Sequence, residues 1–138
     1  MEQMESSPFD GFCRKRGYLI CIDSDGCAMD TMDVKHQKCF GPLMVEEWEL
    51  EDWADEILFY WNKVNLYSMT RGINRFKALA TVLSWVNGRY KEIPDVESLA
   101  RWTGEDDELS NDALRKQVSA EGSICLEKAL HWSELVNE

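Results

Sequence analysis

The chain has 138 residues, 44% hydrophobic and 30% charged, with a formal net charge of −11 and an isoelectric point of about 4.6. That length supports one domain with its own core, and the acidic balance repels nucleic acid and anionic membranes at long range. No stretch approaches the ~18 apolar residues of a membrane span. The apolar run after Arg14–Arg16 is shorter than the roughly 7–15 residues of a secretory signal. A cytoplasmic protein with no nucleic-acid or membrane partner is therefore expected.

Residues 1–12 are polar, carry Pro8 and Gly11, and read as a loose arm. The short apolar run Tyr18–Ile22, bounded by Gly17 and Asp23, reads as a buried strand. Such a strand delivers Asp23 to a sheet edge, where α/β proteins bind ligands. Asp25 follows two residues on, and Gly26 permits a tight turn beside it. Two carboxylates so placed can share one site: one attacks a substrate or holds a cation while the other moves a proton. An EF-hand reading fails, because counting from Asp23 the glycine falls at the fourth position and Val34, not Glu, at the twelfth.

Residues 33–41 read as a short helix stopped by Gly41–Pro42. From Val45 to Leu66, the residues Leu50, Trp53, Ile57, Trp61 and Val64 recur at spacings of three and four, the period of an amphipathic helix. The acidic run Glu46–Glu56 reads as its solvated face and start. A second long helix is expected over 72–86, closed by Asn87–Gly88. Pro94–Asp95 opens a third that Gly104 closes, Ser110 caps a fourth to about Ala120, and Gly122–Ser123 precedes a fifth. The five cysteines (Cys13, Cys21, Cys27, Cys39, Cys125) form no CxxC, and His36 and His131 lie far apart. This pattern opposes a zinc site or a disulfide framework and suggests small buried side chains.

Two segments carry a family resemblance. Asp23-Ser24-Asp25-Gly26-Cys27-Ala28-Met29-Asp30-Thr31 resembles the first motif of the haloacid dehalogenase superfamily, D-x-D-G-T-[LV]-x-D-S, with Cys27 and Ala28 as small departures. Thr70–Leu79, TRGINRFKAL, is similar to the KGxSRxxSL cap segment of that family's sugar-phosphate mutases: Gly72 matches the glycine, Asn74 stands for the serine, and Arg75 for the arginine that grips a substrate anion. A guanidinium near a helix N-terminus suits that task.

The resemblance implies a mainly α chain with one buried β-strand carrying DxDG, followed by a helical cap. Residues 1–32 would be the arm and first strand of a core, and residues 33–138 the cap; the parent enzyme would be an α/β Rossmann-like core with the cap inserted. It further implies a Mg²⁺-dependent phosphatase acting on a small phosphorylated metabolite. Asp23 would be the nucleophile, forming an aspartyl-phosphate, and Asp25 the general acid and base. Asp23 and the Asp25 carbonyl would hold Mg²⁺, and Arg75 would bind a second substrate anion. The family's Ser/Thr, Lys and later acidic pair have no strand-borne counterpart here: Ser84 lies in a helical period and Asp106–Asp107 follow no strand. The chain is thus expected to be an incomplete N-terminal half, inactive alone, needing the missing core half or self-association. Its strand would pair with a local strand within residues 8–16 or with another chain. Phosphonatase chemistry would want a cap lysine, for which Lys63 and Lys77 qualify by location. The alternative is a non-catalytic helical protein that docks a partner, with the six tryptophans as possible anchors.

Overall fold

A computed structural model of the chain describes residues 11, 13, 15–24 and 27–138. From Thr31 onward the chain folds as helices around one apolar core. The first three pieces make a nearly unbroken rod: α1 (Thr31–Lys35), a π-helical turn (His36–Phe40) and α2 (Gly41–Glu47). The expected stop at Gly41–Pro42 does not occur. Proline lacks an N–H and its ring presses on the carbonyl four residues back. Here it sits in the first turn of α2, directly after the widened π turn, where both penalties are relieved. Gly41 is buried, and a Cβ there would lie 2.9 Å from Leu58 and 3.0 Å from Trp61 and the His36 carbonyl. The absent side chain lets the rod lie directly on the next long helix.

The long helix expected over 45–66 is broken. α2 ends at Glu47, Glu49 takes a positive φ of 54°, and the Leu50 N–H returns to the Val45 carbonyl at 2.8 Å. A 3₁₀ turn (Glu51–Trp53) then leads into α3 (Ala54–Leu66). The periodic stripe survives because the corner keeps Leu50 inside with Ile57, Trp61 and Val64, while Trp53 is half-buried.

α4 (Arg75–Val86) runs through the centre and packs on α3 and α5, so Phe76, Leu79, Val82, Leu83 and Val86 are all buried. α5 (Val96–Glu105) runs through Gly104; α6 (Asn111–Glu121) starts on Ser110 and ends at Gly122, φ 66°. α7 (Ile124–Leu135) starts on Ser123 and packs on α2, α5 and α6. Trp48, Trp61, Trp102 and Trp132 are core residues. Of the cysteines only Cys125 is buried, and burial pushes its thiol up to about 12; Cys13, Cys21 and Cys27 are exposed, contrary to the small-buried-residue expectation.

The expected buried strand carrying the DxDG motif does not form. Tyr18, Leu19, Ile20 and Ile22 are 94%, 87%, 81% and 74% exposed. The described residues contain no β-strand and no sheet, and only isolated bridge residues such as the pair Asn87 and Lys91. A strand needs neighbours to take its N–H and C=O groups, whereas helices satisfy theirs internally, so the rest of this chain offers no edge to join. Residues 1–10, 12 and 14, which include most of the expected local partner, lie outside the described residues; residues 11, 13, 15 and 16 form no strand. The α/β part of the expectation is overturned, and the described chain is all-α. No described helix is long and apolar enough to cross a membrane.

Candidate functional site

Asp23 sits in a tight turn. The Ala28 N–H donates to its carbonyl at 3.1 Å and the Met29 N–H donates to the Ser24 carbonyl at 2.9 Å, so the chain reverses within a few residues. The Asp23 side chain is exposed, and the Cys27 thiol donates to its Oδ2 at 3.6 Å. Asp25 and Gly26 lie outside the described residues.

The helical rod that begins at Thr31 forms one wall of a cleft of about 530 Å³. That wall presents Met32, Lys35, His36 and Phe40. The approach to α4 gives Gly72 to Arg75, and the approach to α6 gives Leu109 to Asn111. Asn74 caps α4 by accepting the Phe76 N–H at 2.9 Å, while its Nδ2 donates to the Leu109 carbonyl at 3.2 Å. Ser110 caps α6 by accepting the Ala113 N–H at 3.2 Å. Two helices of twelve and eleven residues therefore turn their N-termini, and the positive ends of their dipoles, to one cleft.

Arg75 is half-buried in this cleft. Its Nη1 donates to Asn137 Oδ1 and its Nη2 to Asn111 Oδ1, each at 3.1 Å. Asn111 Oδ1 also accepts from Ser133 at 2.6 Å, and the guanidinium lies 5.3 Å over the Phe76 ring. These partners are neutral, and among the described residues no carboxylate pairs with Arg75. Burial pulls the guanidinium below its ordinary pKa, but arginine keeps its charge in proteins. The result is a fixed cation with its donors preset and no counter-charge among the described residues.

His36 enters the sequence reading only as evidence against a zinc site, yet it lines this wall. It is 5% exposed, and its ring lies 5.1 Å from Phe40 and 5.9 Å from Trp61. Its Nδ1 is buried with no hydrogen-bond partner among the described residues. Burial, then the nearby Lys35 and Arg71 charges, push its pKa down to about 4, against a smaller opposing pull from Asp33. It is neutral at pH 7. The sequence signal was slight: Met32, His36 and Phe40 recur every four residues, one face of a helix. The π turn is a further marker, since such turns occur often at functional sites.

The remaining expectations divide. Arg75 lines the cleft, beside the helix that follows the motif; Asp23 is not among the residues lining it. Asp106 accepts the Trp102 indole N–H at 3.1 Å and so serves the end of α5. Lys63 and Lys77 are exposed on α3 and α4. Mg²⁺ takes about six oxygens in a near-octahedral shell. Asp23 supplies one carboxylate, and the described residues hold no cluster of three or more His, Cys, Asp or Glu that could hold a metal. The described residues do not fit a complete Mg²⁺ site.

No family model, no curated protein and no solved structure matches the chain.

Proposed function

We propose that this chain carries the nucleophile loop and helical cap of a haloacid-dehalogenase-like phosphohydrolase whose small phosphorylated substrate bears a second anionic group. One observation carries the reading: Arg75, the residue matched to the family's anion-gripping arginine, lines a single cleft with the first helical turns after the DxDG motif. The helix that directly follows the first resembling segment meets the second segment there, some forty residues away in sequence. In this reading the Asp23 carboxylate attacks phosphorus and the alcohol leaves with a proton from Asp25. Asp25 then draws a proton from the water that cleaves the aspartyl-phosphate. Arg75 fixes the far end of the substrate. The lysine and the further acidic groups that such chemistry uses, with the additional Mg²⁺ ligands, are to come from outside the described residues, through a further core segment or a partner chain.

The alternative, a non-catalytic helical protein that docks a partner, draws on the exposed apolar residues Tyr18, Leu19, Ile20 and Ile22. The tryptophans give it little, because Trp48, Trp61, Trp102 and Trp132 are committed to the core. Turnover separates the two readings. The 138-residue chain with Mg²⁺ is assayed against a panel of phosphate esters, and so is the product of any longer reading frame in the encoding gene. The expected result is no turnover by the chain alone and turnover by a longer product that Asp23→Asn abolishes. Turnover that survives Asp23→Asn removes the nucleophile assignment, and an inactive longer product favours the docking protein.

A further inference from the structure

The cleft holds a group that anchoring by Arg75 alone does not use. His36 is buried, neutral and without a partner at Nδ1 among the described residues, in the same wall as Lys35 and opposite Arg75. A buried polar atom with no partner costs free energy, and such an atom in a native protein calls for an explanation. Around it the charges are nearly all positive. On its own rod are Lys35 and Asp33, with Asp33 engaged by Arg71 at 3.6 Å. Arg71 approaches from the α3–α4 connection and Arg75 from α4; Ser110 and Asn111 from α6 are neutral, and Trp61 from α3 carries no charge. Two helix N-termini add to the same sign. Burial is the first cause that keeps His36 unprotonated and the surrounding positive charges add to it; an anion placed in the cleft opposes those charges.

We propose that the cleft binds an oxyanion with two or more acceptor oxygens, and that His36 takes up a proton as that anion is seated and becomes part of the binding site. The inference rests on the reading of this cleft as the seat of the substrate's second anion. It adds that the seat favours a dianionic, tetrahedral group, because Arg75 and protonated His36 then share the lining with two dipole ends. A carboxylate carries too little charge to offset all of them. An opposite charge within ~4–6 Å raises a titrating group by about 1–3 units. Starting from about 4, His36 then titrates near pH 5–7 in the occupied cleft. Affinity rises as pH falls through that window, by at most about tenfold per unit for one linked proton.

Sulfate is the probe, because it neither gains nor loses a proton in this range, so any uptake belongs to the protein. The full chain is titrated with sulfate from about pH 5.5 to 7.5 at constant ionic strength with chloride as the balance, since free charges are screened by salt. Calorimetry in buffers of different ionisation heat counts the protons taken up. Nuclear magnetic resonance, extended down to about pH 3.5 so that the unliganded titration is reached, follows the two imidazoles, with His131, which contacts Glu47 at 2.7 Å, as the internal control. The expected result is saturable binding that tightens toward low pH with uptake of up to one proton. The His36 titration should move up by at least one unit with sulfate while that of His131 stays put. His36→Gln should leave binding that varies less than twofold over the range. The wild-type spectra carry the test by themselves if that variant does not fold. Saturable binding with no pH dependence and no movement of His36 overturns the inference and leaves Arg75 as an anion anchor. No saturable binding, with wild type and Arg75→Ala alike, overturns the inference and the reading of the cleft together.

Discussion

The Trp132 indole donates to the Phe40 carbonyl at 3.1 Å across 92 residues of sequence, and the two rings meet edge to face at 5.8 Å. One turn of α7 thus clamps the π turn that carries His36. The same helix backs the opposite wall, because Ser133 donates to Asn111 at 2.6 Å, and Asn137 just beyond it accepts from Arg75. α7 lines none of the cleft and yet holds both of its sides. Trp132→Phe keeps most of the apolar volume and removes the donor, leaving the Phe40 carbonyl unpartnered on that side. A cost of roughly 1–3 kcal/mol is expected, read from urea unfolding, together with weaker sulfate binding than in wild type. Unchanged binding in a destabilised variant would show that the clamp serves stability alone.

Gly41→Ala places a methyl where a Cβ meets Leu58, Trp61 and the His36 carbonyl at 2.9–3.0 Å. The backbone φ of −63° is ordinary for any residue, so the penalty is steric. Overpacking of this kind costs about 1–3 kcal/mol, although alanine is the better helix former by about 1 kcal/mol. Net destabilisation in chemical denaturation is the expected outcome, and a gain in stability would mean that the rod stands farther from α3 than described.

Arg75→Ala removes a charge and two hydrogen bonds to neutral amides. Loss of a charge-assisted contact costs roughly 1.5–3 kcal/mol, so sulfate binding should weaken about ten- to a hundredfold. In the turning-over enzyme, kcat/KM should fall by a similar factor for substrates with a second anion and hardly at all for simple aryl phosphates. Equal losses for both classes would assign Arg75 to folding.

His36 gives stability a pH dependence of known sign. Its folded pKa of about 4 lies below the ordinary 6.5, so the unfolded chain binds a proton that the folded chain refuses. That stabilising contribution is complete above about pH 6.5 and is lost as pH falls toward 4. A shift of this size corresponds to about 3 kcal/mol. Unfolding free energies of wild type and His36→Gln, measured from pH 7 to 4, should differ by an amount that moves against wild type by about 2–3 kcal/mol on acidification. Parallel curves would mean that His36 is hydrated in the fold.

Asp23→Asn should leave the melting temperature within about 1 °C of wild type, because the side chain is exposed and, among the described residues, hydrogen-bonds to the Cys27 thiol at 3.6 Å alone. In the same experiments, amides of Leu19 to Ile22 should exchange with solvent far faster than those of Ile57 to Trp61, which lie in α3. Protection of the apolar segment in a concentrated sample but not in a dilute one would identify a second copy of the chain as its cover.

Much of the helical layout was legible in the sequence, because helix ends are settled by chemistry within a few residues. Ser110 and Ser123 cap α6 and α7, Asn74 caps α4 one turn inside the expected start, and Gly122 takes the left-handed conformation that ends α6. The periodic apolar stripe named Leu50, Ile57, Trp61 and Val64 as core for the same local reason. Where the helices bend or continue was not legible. Pro42 stops nothing because the preceding turn widens, and Glu49 breaks a periodic stretch because Leu50 gains full burial by turning inward.

The segment Tyr18–Ile22 shows the larger limit. Its composition suits a strand, but a strand is made by the neighbours that accept its hydrogen bonds, and no composition supplies those. The cleft is the same kind of fact. Arg75, Asn111 and Asn137 lie 36 and 62 residues apart along the chain. Sequence alone assigned Arg75 a chemical role and left His36 and Asn111 without one. Only the packing of α7 against the rod and the two capped helix starts put them in one site, because charge without a counter-ion and a buried nitrogen without a partner are properties of an enclosure, which no single residue has by itself.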